Sequence, residues 1–115
     1  MVKQNINYVK DAEDIDYSCE RIVLAAIRLK DTYLVGVRHW DNLMVHQADI
    51  LNVDVSEYRK ASEYEEGFIT NRYNFINRDI GIKLAKHNGQ YLNMLSPLEK
   101  ERHINLPELY SEDLW

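Results

Sequence analysis

The sequence predicts a single α+β domain, in which a small antiparallel sheet packs with two or three helices. Three observations predict it. Two β-rich apolar runs, Ile22-Val23-Leu24-Ala25-Ala26-Ile27 and Tyr33-Leu34-Val35-Gly36-Val37, flank a turn-forming stretch at 28–32. A third short strand reads from Gly67-Phe68-Ile69-Thr70. Segments with helical spacing and capping residues follow these runs.

In chain order, residues 1–20 are polar and acidic, with Asp11, Glu13, Asp14, Asp16 and Glu20 close together. They read as a solvated arm outside a domain spanning 21–115. The near-continuous apolarity of 22–27 calls for cover on both faces of that strand, by a helix and by a partner subunit. After Arg38-His39-Trp40, Asp41 is placed to cap a helix reaching about residue 52, with Leu43, Met44, Ala48, Ile50 and Leu51 in partial helical register. Residues 53–66 are mostly polar and read as a long functional or mobile loop. Asn71–Asn74 reads as a turn, and Phe75-Ile76 resumes the strand.

Asn77 caps the best-marked helix. Asp79 lies in its first turn, Ile80, Leu84, Ala85 and His87 share one side, and Asn88-Gly89 supplies the stop. Ser96-Pro97-Leu98-Glu99 is a capping box with proline at the first helical position, so a short helix is expected from 97 to about 103. Leucines and aromatics continue to Trp115, which points to a docked terminus.

Composition narrows the function. A chain of 115 residues falls at one domain on the usual scale of roughly 100–200 residues each. Fourteen basic against nineteen acidic residues leave a net charge of −5, which argues against phosphate-driven binding to a DNA or RNA polymer. One cysteine, Cys19, excludes an intrachain disulfide framework and points to the cytosol. No run approaches the ~20 apolar residues needed to span a bilayer.

Catalytic chemistry is poorly represented. His39 and His46 are seven residues apart without a zinc-ligand motif, and His87 and His103 add none, so no metal site is expected. Cys19 and the scattered serines lack a nucleophile signature, and the four glycines form no phosphate-cradling loop. The arginines are more informative. Arg38 ends a strand beside His39, and Arg72 and Arg78 flank the turn and helix start around Phe75. A helix N-terminus near residue 78 presents free N–H groups to an anion, while arginine forks and aromatic rings suit phosphate and base. Phe68 and Phe75 fit a hydrophobic core equally well.

With these residues the chain resembles small phage proteins of the Thoeris anti-defence type 1 family. The likeness runs over about 21–115 with gaps. It is carried by a strand ending in Arg38-His39, then Gly67-Phe68-Ile69-Thr70, Phe75-Ile76-Asn77-Arg78, Asn88-Gly89-Gln90 and the terminal Leu109-Tyr110-Ser111-Glu112-Asp113-Leu114-Trp115. Trp40 departs from the pattern, standing where a second polar residue is expected.

The resemblance implies an α+β protein that forms dimers or higher oligomers in the host cytoplasm. It implies capture of a cyclic ADP-ribose signal without cleavage, no cofactor, and in some relatives cyclic oligonucleotides at separate sites. It casts Arg38 as a phosphate contact and Phe68 as the stack for adenine. Asn77 and Arg78 would bind ribose or pyrophosphate, and Arg102 is a further phosphate candidate. With His39, Thr70 and Phe75 from the same motifs, these make the expected ligand set. Two other readings stay open at this level: a nucleotide-processing enzyme using His39 or His46, and an inhibitor that meets a host protein through its acidic surface.

Overall fold

The computed structural model of the protein describes residues 5–91. Its hairpin pairs β2 (Ile22–Leu29) with β3 (Thr32–Gly36) antiparallel through a two-residue turn, Lys30-Asp31. Lys30 takes a positive φ of 58°, a conformation that turns the chain tightly enough for Leu29 to pair with Thr32. β4 (Tyr64–Thr70) runs antiparallel along the other side of β2, and β5 (Asn74–Asn77) returns antiparallel to β4. With β1 (Asn7–Tyr8) the sheet has five strands in the order β1-β5-β4-β2-β3.

Helix α1 (Asn42–Leu51) starts at Asp41, whose carboxylate accepts the Met44 N–H at 3.0 Å. Helix α3 (Arg78–Asn88) starts at Asn77, whose side chain accepts the Ile80 N–H at 2.9 Å, and stops at Gly89 in the left-handed region. Both caps are the residues the sequence marks, because each satisfies a donor that the first helical turn leaves without a partner. Met44, Ile80, Ile82, Leu84 and Ala85 then join Ala25, Ile27, Leu29, Leu34, Phe68 and Ile76 in the main core.

Gly67 is required where β4 crosses between its neighbours, paired to Ala26 on one side and Asn77 on the other. A Cβ there would fall against the Ile76 carbonyl oxygen and 2.7 Å from Cζ of Phe75. Two glutamines close backbone groups at the sheet margins. Gln47 on α1 accepts the Val35 N–H (2.9 Å) and donates to the Val35 carbonyl (2.6 Å), sealing the middle of edge strand β3. Gln90 does the same for Ile22 at 2.9 and 2.8 Å.

Several expectations are corrected. The acidic leader is not merely a solvated arm. β1 pairs parallel to β5, so the sheet is mixed, and Val9, Ile15 and Glu20 are buried. Isolated apolar residues in an acidic run carry no periodicity, which is why sequence misses them. Residues 53–66 are not one loop. Asp54 accepts the Ser56 N–H and caps a short α2 (Val55–Lys60), and β4 begins at Tyr64. One expectation stands: helix residues cover one face of β2. Across the sheet, Ala26, Tyr33, Ile69 and Phe75 form a second apolar layer. The expected helix at 97–103 and the docked terminus lie outside the described residues.

Candidate functional site

β5 ends at Asn77, opposite Gly67, whereas β4 starts three residues earlier at Tyr64. The free stretch of β4 therefore faces the first turn of α3 across a cleft of about 320 Å³, lined by Tyr64, Glu65, Glu66, Asn77, Arg78 and Asp79. A volume of this size falls at the small end of ordinary ligand pockets. The α3 macrodipole places positive potential on one wall, and Arg78 adds a guanidinium to it. Arg78 Nη2 donates to Glu66 Oε1 at 3.4 Å, with both side chains about three-quarters buried. That separation is long beside the ~2.7–2.9 Å of a strong charge-assisted bond, so the pair is loosely closed. The carboxylates of Glu66 and Asp79 against one guanidinium leave the lining slightly acidic, since the Glu65 carboxylate pairs with Arg28 at 3.4 Å on the other face of the sheet.

Behind the cleft, the bend after β3 carries two groups of the site. His39 Nε2–H donates to the Gly67 carbonyl at 2.8 Å, and its ring meets Phe68 edge-on at 5.3 Å. Burial, helped by the Arg78 charge, pushes the His39 pKa down against the raising influence of Gly67 and Glu66. The imidazole is therefore neutral at pH 7 and donates to a carbonyl. Trp40 has a positive φ of 57°, an uncommon conformation for an aromatic residue that costs about 1–3 kcal/mol. Its backbone N–H lies 3.0 Å from Met44 Sδ, and its indole Nε1–H donates to Tyr64 Oη at 2.8 Å. The indole and phenol planes are 7° apart, with centroids 6.5 Å apart. On α2, Arg59 lies over the Tyr64 ring at 4.5 Å and donates to the same hydroxyl at 3.2 Å.

Of the expected ligand set, Asn77 and Arg78 line this cleft and His39 stands next to it. Three members are corrected. Phe68 is fully buried in the main core between β2 and β5, so neither ring face is open to adenine. Phe75 is fully buried in the layer on the opposite side of the sheet, between Tyr8 and Tyr33. Thr70 is buried too. Its Oγ1 accepts the N–H groups of Arg72 (3.2 Å) and Asn74 (3.3 Å) and so shapes the β4–β5 turn. Arg38 is exposed on the bend before α1 and is not among the cleft residues. Arg102 lies outside the described residues.

A model of the family described as phage T4 y16D protein matches residues 21–115. The chain belongs to this phage family. No curated protein and no solved structure matches it. In this y16D-family chain the match begins at Arg21, just before β2, so the sheet segment β2–β5 and helices α1–α3 fall inside it.

The cleft residues that sequence reasoning missed are Tyr64, Glu65 and Glu66, with Arg59 beside them. All four lie in the stretch read as loop. A signal was available. Asp54 and Glu57 have capping-box spacing, which marks a helix start. Tyr64, Glu66, Phe68 and Thr70 have the two-residue period of one strand face, and only the first two of these are left partly exposed, with Tyr64 packed against the core margin. Among the described residues of this y16D-family protein, no group of three or more His, Cys, Asp or Glu side chains could hold a metal ion. No helix among them is long and apolar enough to cross a membrane.

A second cleft, about 470 Å³, lies between residues 17–21 and His87-Asn88. At its rim the Arg72 guanidinium donates to Cys19 Sγ at 2.7 Å, and Cys19 lies 3.1 Å from Asp16. None of the expected ligand residues lines it.

Proposed function

We propose that this protein is a phage anti-defence factor that binds a cyclic ADP-ribose-type signalling nucleotide and holds it uncleaved in the host cytoplasm. The observation that carries the reading is the convergence of Asn77 and Arg78, both in the motifs that resemble Thoeris anti-defence proteins, on the cleft between the β4 edge and the α3 N-terminus. The cleft offers a partner for each part of such a ligand. Arg78 and the helix N-terminus suit a pyrophosphate. Glu66 and Asp79 can accept hydrogen bonds from ribose hydroxyls, since ionised carboxylates are acceptors only, whereas the Glu65 carboxylate is turned to the other face of the sheet and pairs with Arg28 at 3.4 Å. In the free protein Glu66 neutralises Arg78, and a doubly charged pyrophosphate competes for it.

Sequestration needs affinity rather than turnover, and nanomolar binding corresponds to about −12 kcal/mol. A cleft of about 320 Å³ in one protomer leaves part of a dinucleotide outside. Completion of the site by a second copy, in a dimer or higher oligomer, fits that size. The groove lined by Ile6, Val23, Leu24, Val35, Ile69 and Tyr73, on the side of the sheet opposite α1–α3, also supports self-association.

The test is calorimetry against a panel of cyclic ADP-ribose isomers and cyclic oligonucleotides, followed by denaturation and chromatography of what is released. Tight binding with recovery of intact nucleotide is expected, and Arg78→Ala is expected to weaken it at least tenfold. A cleaved product replaces this reading with a nucleotide-processing enzyme. No heat with any nucleotide leaves the inhibitor of a host protein, which is favoured by one observation of its own. Helix α1 exposes Leu43, Val45, Ile50 and Leu51 to solvent.

A further inference from the structure

We infer that Tyr64 is the base-stacking platform of the cleft and that Arg59 is its movable cover, so that the site reads a purine; this rests on the nucleotide reading above. The burial of Phe68 removes the aromatic ring that the motifs suggest for that task. Tyr64 is the aromatic residue lining the cleft, and it stands partly exposed next to Glu65 and Glu66. Its ring is already held in place. Trp40 Nε1–H donates to Oη at 2.8 Å and lies nearly parallel, so stacking a base would cost little further ordering of the phenol. With Trp40 and Arg59 both donating to Oη, the hydroxyl keeps its own proton to donate to a ligand acceptor.

Arg59 behaves as a cover rather than a strut. Its guanidinium lies 4.5 Å over the Tyr64 ring, and among the described residues it makes no ion pair within 4.0 Å. It is exposed on the six-residue α2, so moving it uncovers no core. A purine entering between phenol and guanidinium keeps a π contact on each face, which a sugar or a phosphate alone cannot do. The cation on one face, the Glu66 carboxylate next to it and Arg78 beyond then suit base, ribose and phosphate in turn.

The experiment compares wild type, Tyr64→Leu and Arg59→Ala as full chains, each titrated with cyclic ADP-ribose, AMP and the base-free control ribose 5-phosphate. The inference expects Tyr64→Leu to lose about tenfold or more in affinity for both adenine ligands, and Arg59→Ala about threefold. Ribose 5-phosphate should bind all three proteins alike. Unchanged adenine binding in both variants overturns the platform and leaves the sequestration reading standing. Equal losses for ribose 5-phosphate also overturn it, because Tyr64 is then only structural. Wild-type binding of AMP but not cyclic ADP-ribose, with the Tyr64→Leu loss, supports the platform and removes the signal reading. Binding of neither adenine ligand by wild type refutes both. Should Tyr64→Leu fail to fold by circular dichroism, Arg59→Ala, a change at an exposed side chain, decides by the same criteria.

Discussion

Replacing Asp41 with alanine should cost this fold about 2–3 kcal/mol, because one carboxylate closes two structures at once. Oδ1 accepts the Met44 N–H at 3.0 Å and caps α1. Oδ2 accepts the N–H groups of Val37 (2.8 Å) and Arg38 (3.2 Å) and so anchors the end of β3 to the helix start. Loss of an N-cap costs about 1 kcal/mol. The two further bonds involve a charged acceptor, worth about 1.5 kcal/mol each in a dry site, but their donors are exposed and water can replace the carboxylate. Together they add about 1–2 kcal/mol. For a domain near 100 residues, a total of 2–3 kcal/mol lowers the melting temperature by roughly 10–20 °C.

The assay is urea denaturation followed by circular dichroism, for wild type, Asp41→Ala and Asp41→Asn. The pH dependence supplies an independent check. Partial burial acts to raise the Asp41 pKa, but the N–H groups of Met44, Arg38 and Val37 outweigh it, and the net shift is below the usual 3.8. A depressed carboxylate contributes stability that is present above the unfolded value and lost as pH falls through the folded one. Wild type should therefore lose its advantage over Asp41→Asn on acidification below about pH 4. A loss under about 0.5 kcal/mol for Asp41→Ala at pH 7 would refute the reasoning, since the cap alone predicts more.

Three other predictions concern the same framework. Gly67→Ala should destabilise by at least about 2–3 kcal/mol, because a methyl group there meets the β5 backbone at Ile76 rather than a yielding side chain; a thermal melt within 2 °C of wild type would contradict the close approach. His39 is neutral in the fold, with its pKa pushed below the ordinary 6.5 by burial. Its contribution is fully present above pH 6.5 and shrinks as pH falls from there toward the folded value, and His39→Gln should flatten the fall in stability below about pH 6.5. Gln47→Ala strips both backbone partners from Val35 and should cost about 1–2 kcal/mol. It should also promote self-association through the β3 edge, which light scattering would detect.

The placement of His39 and Trp40 shows why half of the site stayed hidden. Their sequence neighbourhood, Arg38-His39-Trp40-Asp41, marks a strand-to-helix junction, and that junction forms. Which of these four side chains turn toward β4 depends on the left-handed backbone at Trp40 and on the Gly67 carbonyl 28 residues from His39. Phe68 and Tyr64 illustrate the same limit. Both are aromatic, both lie on one face of β4, and only the covering elements separate a core ring from a cleft ring. Arg78 was identifiable because helix capping is local, whereas its partner Glu66 lay in a stretch whose polarity masked the strand.

By itself the sequence determined the class of fold, the β2–β3 hairpin, the strand at 67–70 and the two capped helices α1 and α3. These depend on residue period, turn chemistry and caps, all of which act within a few positions of the chain. Tertiary structure decided that β1 joins the sheet, that the helices take one face, and that Phe68, Thr70 and Phe75 are spent on packing and turn formation. It also decided that Tyr64, Glu66 and Arg78 share one cleft. Those outcomes rest on contacts between residues far apart in sequence, where burial and charge are set by what arrives from elsewhere in the chain.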